Sequence, residues 1–186
     1  ILNSNLTEFQ LMHAVIEDFG IPVPGGGRMN LMRALNSFLI EQVREGNNAV
    51  LIIDEAQNLS AAQLEQVRML SNLETAEEKL LQIVLVGQPE LRKKLDSKSL
   101  LQLRQRIAVR FHLSPLHRGE VACYIGHRLS VAGGDGMVGF DRKAVDLICD
   151  YSGGIPRLIN MLCDKALLAG FVVGTRSITA KLVRAS

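Results

Sequence analysis

The sequence has no apolar run near the ~18 residues that a membrane-spanning helix needs, and its aliphatic stretch LLQIVLVG, residues 80–87, is far too short. It shows no signal-peptide pattern, no internal repeat and no low-complexity tract. Cysteine is sparse: Cys123, Cys149 and Cys163 are odd in number, widely spaced and set among apolar residues. That excludes a disulfide framework and fits reduced cytosolic thiols packed in helices. His112, His117, Cys123 and His127 lie near one another in sequence, but in no recognised zinc spacing. An excess of one charge is also lacking, since the formal net charge is +2, so no whole-molecule field draws the chain to nucleic acid or membrane. What remains is an ordinary globular composition, 47% hydrophobic over 186 residues, enough for one substantial core or for one core and a small satellite domain.

The most informative segment is VLIIDEAQNLS, residues 50–60, where four aliphatic residues run into two carboxylates. Such a run reads as a strand buried on both faces of a parallel sheet, whose carboxyl end is where α/β sheets place their chemistry. In nucleoside triphosphatases this pattern is the Walker B element: the first carboxylate holds Mg²⁺ and the second positions or activates the attacking water. Asp54 and Glu55 take those places here. The bland alternative is an acidic strand end entering a loop.

A phosphatase of nucleotides built this way also needs a GxxxxGK[ST] loop, because backbone amides at a helix start and a lysine cradle the phosphates. No such sequence occurs. Gly25, Gly26 and Gly27 are followed by Arg28 and Met29, not by Lys and Ser or Thr, and read as a connector after Pro22 and Pro24. ILNSN at the start resembles a strand end entering a turn, so the first strand and phosphate loop are expected upstream of this chain.

Periodicity and punctuation outline the elements. Thr7 with Gln10 forms a capping box for a helix through Phe19, ended by Gly20; a second helix spans about Asn30 to Glu45 and stops at Gly46. Ser60 and Gln63 open a helix with Leu64, Val67, Leu70 and Leu73 on its inner face. LQIVLVG, residues 81–87, is a second buried strand, and Pro89 starts the short helix PELRKKL. A last strand is expected near Val109 to Leu113. Beyond Ser114 the pattern is helical only: about Arg118 to Ala132, from near Asp141 to Gly153, from Pro156 to Gly170, and a possible fourth from Thr179. Residues 1–114 thus read as an α/β domain and residues 115–186 as a small helical one.

Other residues suit the same chemistry. Gln88 ends the second strand beside Asp54 and Glu55, where it would hold the attacking water or sense the γ-phosphate, or simply serve as turn polarity before Pro89. Arg104, Arg106 and Arg110 lie before and within the expected last strand. An arginine there can act as a finger on a neighbouring subunit's phosphates, or these residues form a basic face with Arg92, Lys93, Lys94 and Lys98 that touches solvent or nucleic acid. Arg157 sits in a first helical turn, which the helix dipole disfavours for a cation; contact with a phosphate across a cleft would explain it, a surface role would not need to.

Taken together, VLIIDEAQNLS, RMLSNLET, LLQIVLVGQPEL, LRQRIAVRFHLSPL and SGGIPRLIN resemble, in order and over nearly the whole chain, the AAA+ ATPase domain of component A of the bacterial general secretion pathway and its relatives in pilus and exopolysaccharide loci. The resemblance implies a P-loop AAA+ parallel sheet of five strands in the order 5-1-4-3-2, here without its first strand, followed by a helical lid, binding ATP and Mg²⁺. By it Asp54 and Glu55 are the Walker B pair, Gln88 the sensor-1 residue, Arg157 the sensor-2 arginine of the GxxR setting at Gly154 to Arg157, and Arg106, then Arg110, the finger. It further implies homo-oligomers, a partner in component B of the pathway, secretin placement, peptidoglycan binding through a region absent here, and a cytoplasmic domain of a bacterial inner-membrane protein. Lacking the phosphate loop, this chain alone is not expected to hydrolyse ATP. Two other readings fit the residues: a DNA-associated AAA+ regulator of the transposition type, and a non-catalytic scaffold that keeps the fold as an interaction surface.

Overall fold

Helix boundaries follow the side chains that can satisfy free backbone groups. The computed structural model describes residues 7–22, 25, 27–75, 78–134 and 136–185; residues 1–5, read as a strand end, and Pro24 and Gly26 of the connector lie outside these. Among the described residues the chain divides into two compact units, Ile1–Arg110 and Phe111–Ser186.

In the first unit, α1 (Glu8–Asp18) is opened by Thr7, whose hydroxyl accepts the Gln10 N–H while the Gln10 side chain accepts the Thr7 N–H. α2 (Arg28–Arg44) starts two residues earlier than its periodicity suggests, with Gly27 as its N-cap. Arg28 stands where a phosphate loop would need a lysine; its guanidinium instead bonds the side-chain amide of buried Gln66, which also donates to Glu8 at 2.9 Å. This polar tie joins α1 and α2 to α3 (Ala61–Leu70). α3 carries the reciprocal Ser60–Gln63 capping box, with Gln63 itself buried. Ser60→Ala should therefore cost about 1 kcal/mol, visible as faster amide exchange at Gln63.

The sheet of this unit is parallel, β1 (Ala49–Ile53) beside β2 (Leu81–Leu85), with Ala49 opposite Leu81 and Ile53 opposite Leu85. Leu51 and Ile53 enter the core with Leu35, Leu39, Leu64 and Leu70. The expectation that the Walker B strand is buried on both faces is not met: Val50 is 43% and Ile52 58% exposed, as are Val84 at 44% and Val86 at 43%. Side chains alternate along a strand, and among the described residues only one face of this two-stranded sheet is covered.

After β2, α4 (Pro89–Leu95) begins at Pro89 as expected. A single 3₁₀ turn, Lys98–Leu100, then leads into α5 (Leu101–Arg106). The strand expected near Val109 to Leu113 does not form: residues 107–117 are irregular, with Val109, Phe111 and Leu113 more than four-fifths exposed. Its alternation is strand-like, but no described strand pairs with it, and a strand without a partner leaves its backbone groups unpaired. Arg104 and Arg106 accordingly lie on a helix.

The second unit packs α6 (Arg118–Val131), α7 (Arg142–Ser152), α8 (Pro156–Val172) and α9 (Ala180–Ala185) around Val121, Ile125, Ala144, Ile148, Ile159 and Ala166. Asp141 caps α7 by accepting the Ala144 N–H at 2.6 Å. Arg118 bridges α6 to Asp146 and Asp150 of α7; the hydrogen bond to Asp150 is the main reason its guanidinium holds its proton more firmly than usual. The reading of helices alone missed a two-residue parallel pair, β3 (Gly139–Phe140) with β4 (Ser177–Ile178). α8 also runs past Gly170 to Val172. Among the described residues no helix is long and apolar enough to cross a membrane.

Burial on α8, reinforced by Asp164, pushes the Cys163 thiol from 9.0 up to about 12. The folded chain then keeps this proton while the unfolded chain releases it, so Cys163 lowers stability progressively as pH rises from 9 towards 12. At pH 9, iodoacetamide should label exposed Cys123 at least about tenfold faster than Cys163, because the thiolate is the nucleophile; mass spectrometry of the labelled peptides measures the ratio.

Candidate active site

β1 delivers Asp54 to the carboxyl edge of the sheet, and the ladder continues past the strand ends. Val86 N–H donates to Ile53 O and Ala56 N–H to Val86 O, both at 2.9 Å, so residues 54–56 are stitched alongside residues 86–88. The chain must turn sharply at this edge. Glu55 makes the turn with φ 52° and ψ 35°, the only non-glycine with positive φ among the described residues. Such a backbone costs about 1–3 kcal/mol and persists where its surroundings over-determine it.

Those surroundings are specific. Asp54 Oδ1 accepts the Glu55 N–H at 2.7 Å, and Glu55 O accepts the Asn58 N–H at 2.9 Å, closing the 3₁₀ turn Ala56–Asn58. From α4, Lys94 Nζ donates to the carbonyls of Gln57 and, at 2.7 Å, Leu59. Asp54 and Glu55 remain exposed to solvent. The Glu55 carboxylate takes hydrogen bonds on Oε2 from the side-chain amides of Gln57 and, at 3.5 Å, Gln88.

Three of the residues singled out in the sequence, Asp54, Glu55 and Gln88, are thus brought together on one rim. Oxygen-rich and open, this donor set suits Mg²⁺, which binds one or two carboxylates while keeping several waters and substrate phosphate oxygens. Arg106 closes α5, its Nη1 3.5 Å from Ser71 O. Arg110 lies 4.0 Å from Asp96 Oδ1, which also pairs with Arg104 at 3.5 Å. These exposed pairs are worth at most about 1 kcal/mol, so they do not tie the arginines to one structural task. Arg157 belongs to the second unit, exposed in the first turn of α8. The entry to that helix is fixed by Gly154, at φ +77°, whose carbonyl accepts the Leu116 N–H at 2.9 Å.

Gln57 escaped the sequence reading. Its only signal is a glutamine two residues past Glu55, and the partner that gives it meaning, Gln88, is 31 residues away.

The fold is that of a P-loop AAA+ protein. Residues 2–95, which hold β1, β2, Asp54, Glu55 and Gln88, match the family described as AAA domain, and the chain belongs to that family. Over 179 residues it is 45% identical to general secretion pathway protein A of Aeromonas hydrophila, a match that covers 96% of this chain and 32% of the relative. The chain therefore spans about a third of that relative's length. In fold it is similar to the ADP form of the ORC2 protein of Aeropyrum pernix, at a TM-score of 0.69 and 17% identity over 96% of this chain and 48% of that one. It is also similar to the RuvB Holliday junction branch migration motor of Thermotoga maritima, at 0.59 and 18% over 97% and 57%. Cdc6p of Pyrobaculum aerophilum matches at 0.60 and 18% over 90% and 45%.

Proposed function

We propose that this chain is the Walker B and lid portion of an Mg²⁺-dependent ATPase of the general secretion pathway type, coupling ATP binding and hydrolysis to assembly or operation of a type II secretion envelope machine. The observation that carries the reading is the convergence of Asp54, Glu55 and Gln88 at the carboxyl ends of two adjacent parallel strands. When bound, Mg²⁺ would neutralise charge on the phosphates. Asp54 would hold it, and Glu55 would orient the attacking water and take its proton. Gln88 would contact that water or the γ-phosphate from just past the second strand, where it precedes α4. Arg157 would complement phosphate charge from the lid, and Arg106, or failing it Arg110, would serve a neighbouring copy as the finger.

On this reading residues 1–114 form the nucleotide-binding core and residues 115–186 the lid. The protein works as a homo-oligomer with component B of the pathway, from the cytoplasmic side of a bacterial inner membrane. Peptidoglycan is reached only through another region. The 45% identity to general secretion pathway protein A across both units supports this reading over a DNA-associated regulator. The test is Mg²⁺-dependent ATP turnover by a protein extended upstream by about 60 residues, long enough to hold a strand, phosphate loop and helix. Turnover supports the ATPase reading. Failure of a folded, extended protein to bind nucleotide removes it and favours a scaffold.

A further inference from the structure

We propose that Gln57 is a positioning residue that locks the Glu55 carboxylate to the end of β2, so that Glu55 and Gln88 act as one unit. This deepens the ATPase reading and rests on it. The Gln57 amide has one orientation open to it. Its Oε1 accepts the Gln88 backbone N–H at 3.1 Å, a group that can only donate, and its Nε2 faces the Glu55 carboxylate, which when ionised can only accept. Reversing the amide would set donor against donor and acceptor against acceptor. The side chain is half-buried, and its backbone carbonyl is gripped by Lys94 Nζ.

The facing backbone has been cleared for it. A Cβ on Gly87 would lie 2.7 Å from Gln57 Oε1, 3.1 Å from Leu91 Cδ2 and 3.2 Å from Gln57 N. Gly87 has no positive φ that would otherwise call for glycine, so close approach is what the position requires. Glu55 is meanwhile, among the described residues, the one that holds a left-handed backbone without being glycine. A carboxylate on so unusual a turn needs a side-chain tether if its oxygens are to be held in one place, and Gln57 reaches it from two residues away while anchored across the sheet. Groups that orient a catalytic side chain in this way typically change activity about 10–100-fold when removed.

Two substitutions separate the two halves of the bridge. Gln57→Ala removes both, whereas Gln57→Glu keeps an acceptor for the Gln88 N–H but cannot donate to Glu55. In the 186-residue chain, amide exchange at Gln88 should quicken about tenfold or more in Gln57→Ala and stay near wild type in Gln57→Glu. In the extended protein both variants should lower kcat about 10–100-fold, with KM for ATP within about threefold, since Gln57 would not itself touch nucleotide. Gly87→Ala, which crowds Gln57 Oε1 and also Leu91 Cδ2, should quicken Gln88 exchange in the same direction as Gln57→Ala. Unchanged Gln88 exchange in Gln57→Ala would overturn the bridge, and unchanged kcat in both Gln57 variants would overturn its positioning role. A wild-type protein without turnover would sink the ATPase reading, and with it any catalytic meaning of the tether, while the exchange comparison would still decide whether the bridge exists.

Discussion

Glu55→Gln in the extended protein should cut steady-state ATP turnover about 10²- to 10⁴-fold while leaving ATP binding in place. The substitution keeps the size of the side chain and its place on the turn, and a glutamine carbonyl can still accept from Gln57 or Gln88. On the proposed role of Glu55, it removes the negative charge and the basicity that would act on the attacking water. Loss of a positioned general base costs about 10²- to 10⁴-fold, so kcat should fall by that factor with KM little changed. Rates measured with Mg²⁺ and ATP, beside binding of a fluorescent ATP analogue, read the two effects separately. A variant that keeps more than half the wild-type kcat would mean that Glu55 is only the end of a strand.

The second large effect concerns stability in the helical unit. Gly154→Ala should destabilise that unit by at least about 2 kcal/mol. An alanine held at φ +77° carries about 1–2 kcal/mol of left-handed penalty. Here its Cβ would also lie 2.1 Å from the Leu116 carbonyl oxygen, a backbone atom that cannot swing aside. Either the Leu116–Gly154 hydrogen bond breaks or the start of α8 moves, and Arg157 moves with it. Gly153 provides the contrast: it is also left-handed, at φ +57°, but a Cβ there meets nothing within 4 Å. Gly153→Ala should therefore cost about 1–2 kcal/mol, the backbone term alone. Hydrogen exchange across α7 and α8 in the intact chain measures both variants. Equal effects would show that the close approach to Leu116 is not what constrains Gly154.

Where structure is set by residues a few positions apart, the sequence was a sound guide. The Thr7–Gln10 and Ser60–Gln63 boxes, the stops at Gly20 and Gly46 and the helix start near Asp141 are local hydrogen-bonding and φ requirements, and each fell where its chemistry pointed. The two strands and the Asp54–Glu55–Gln88 rim were legible for a related reason, since an aliphatic run ending in polar residues describes both a strand and its exit. Failures came where a partner decides the outcome. Val50 and Ile52 look as buried as Leu51 and Ile53 until the faces of the sheet are seen. The IAVRFHL segment has the alternation of a strand but no described strand beside it. LQLRQR, the six residues of α5, is too short for periodicity to reveal a helix, and two-residue strands carry no pattern at all. Gln57 was invisible because its role arises only when β1 and β2 pair and bring Gln88 to it.

If the Asp54 edge of this sheet is an Mg²⁺-nucleotide site, Mn²⁺, a paramagnetic substitute for Mg²⁺, should bind there. In the extended protein with a non-hydrolysable ATP analogue, electron paramagnetic resonance should show Mn²⁺ binding that Asp54→Ala weakens about tenfold or more, while the metal-free analogue still binds. Mn²⁺ affinity unchanged by Asp54→Ala would place the metal elsewhere and contradict the account.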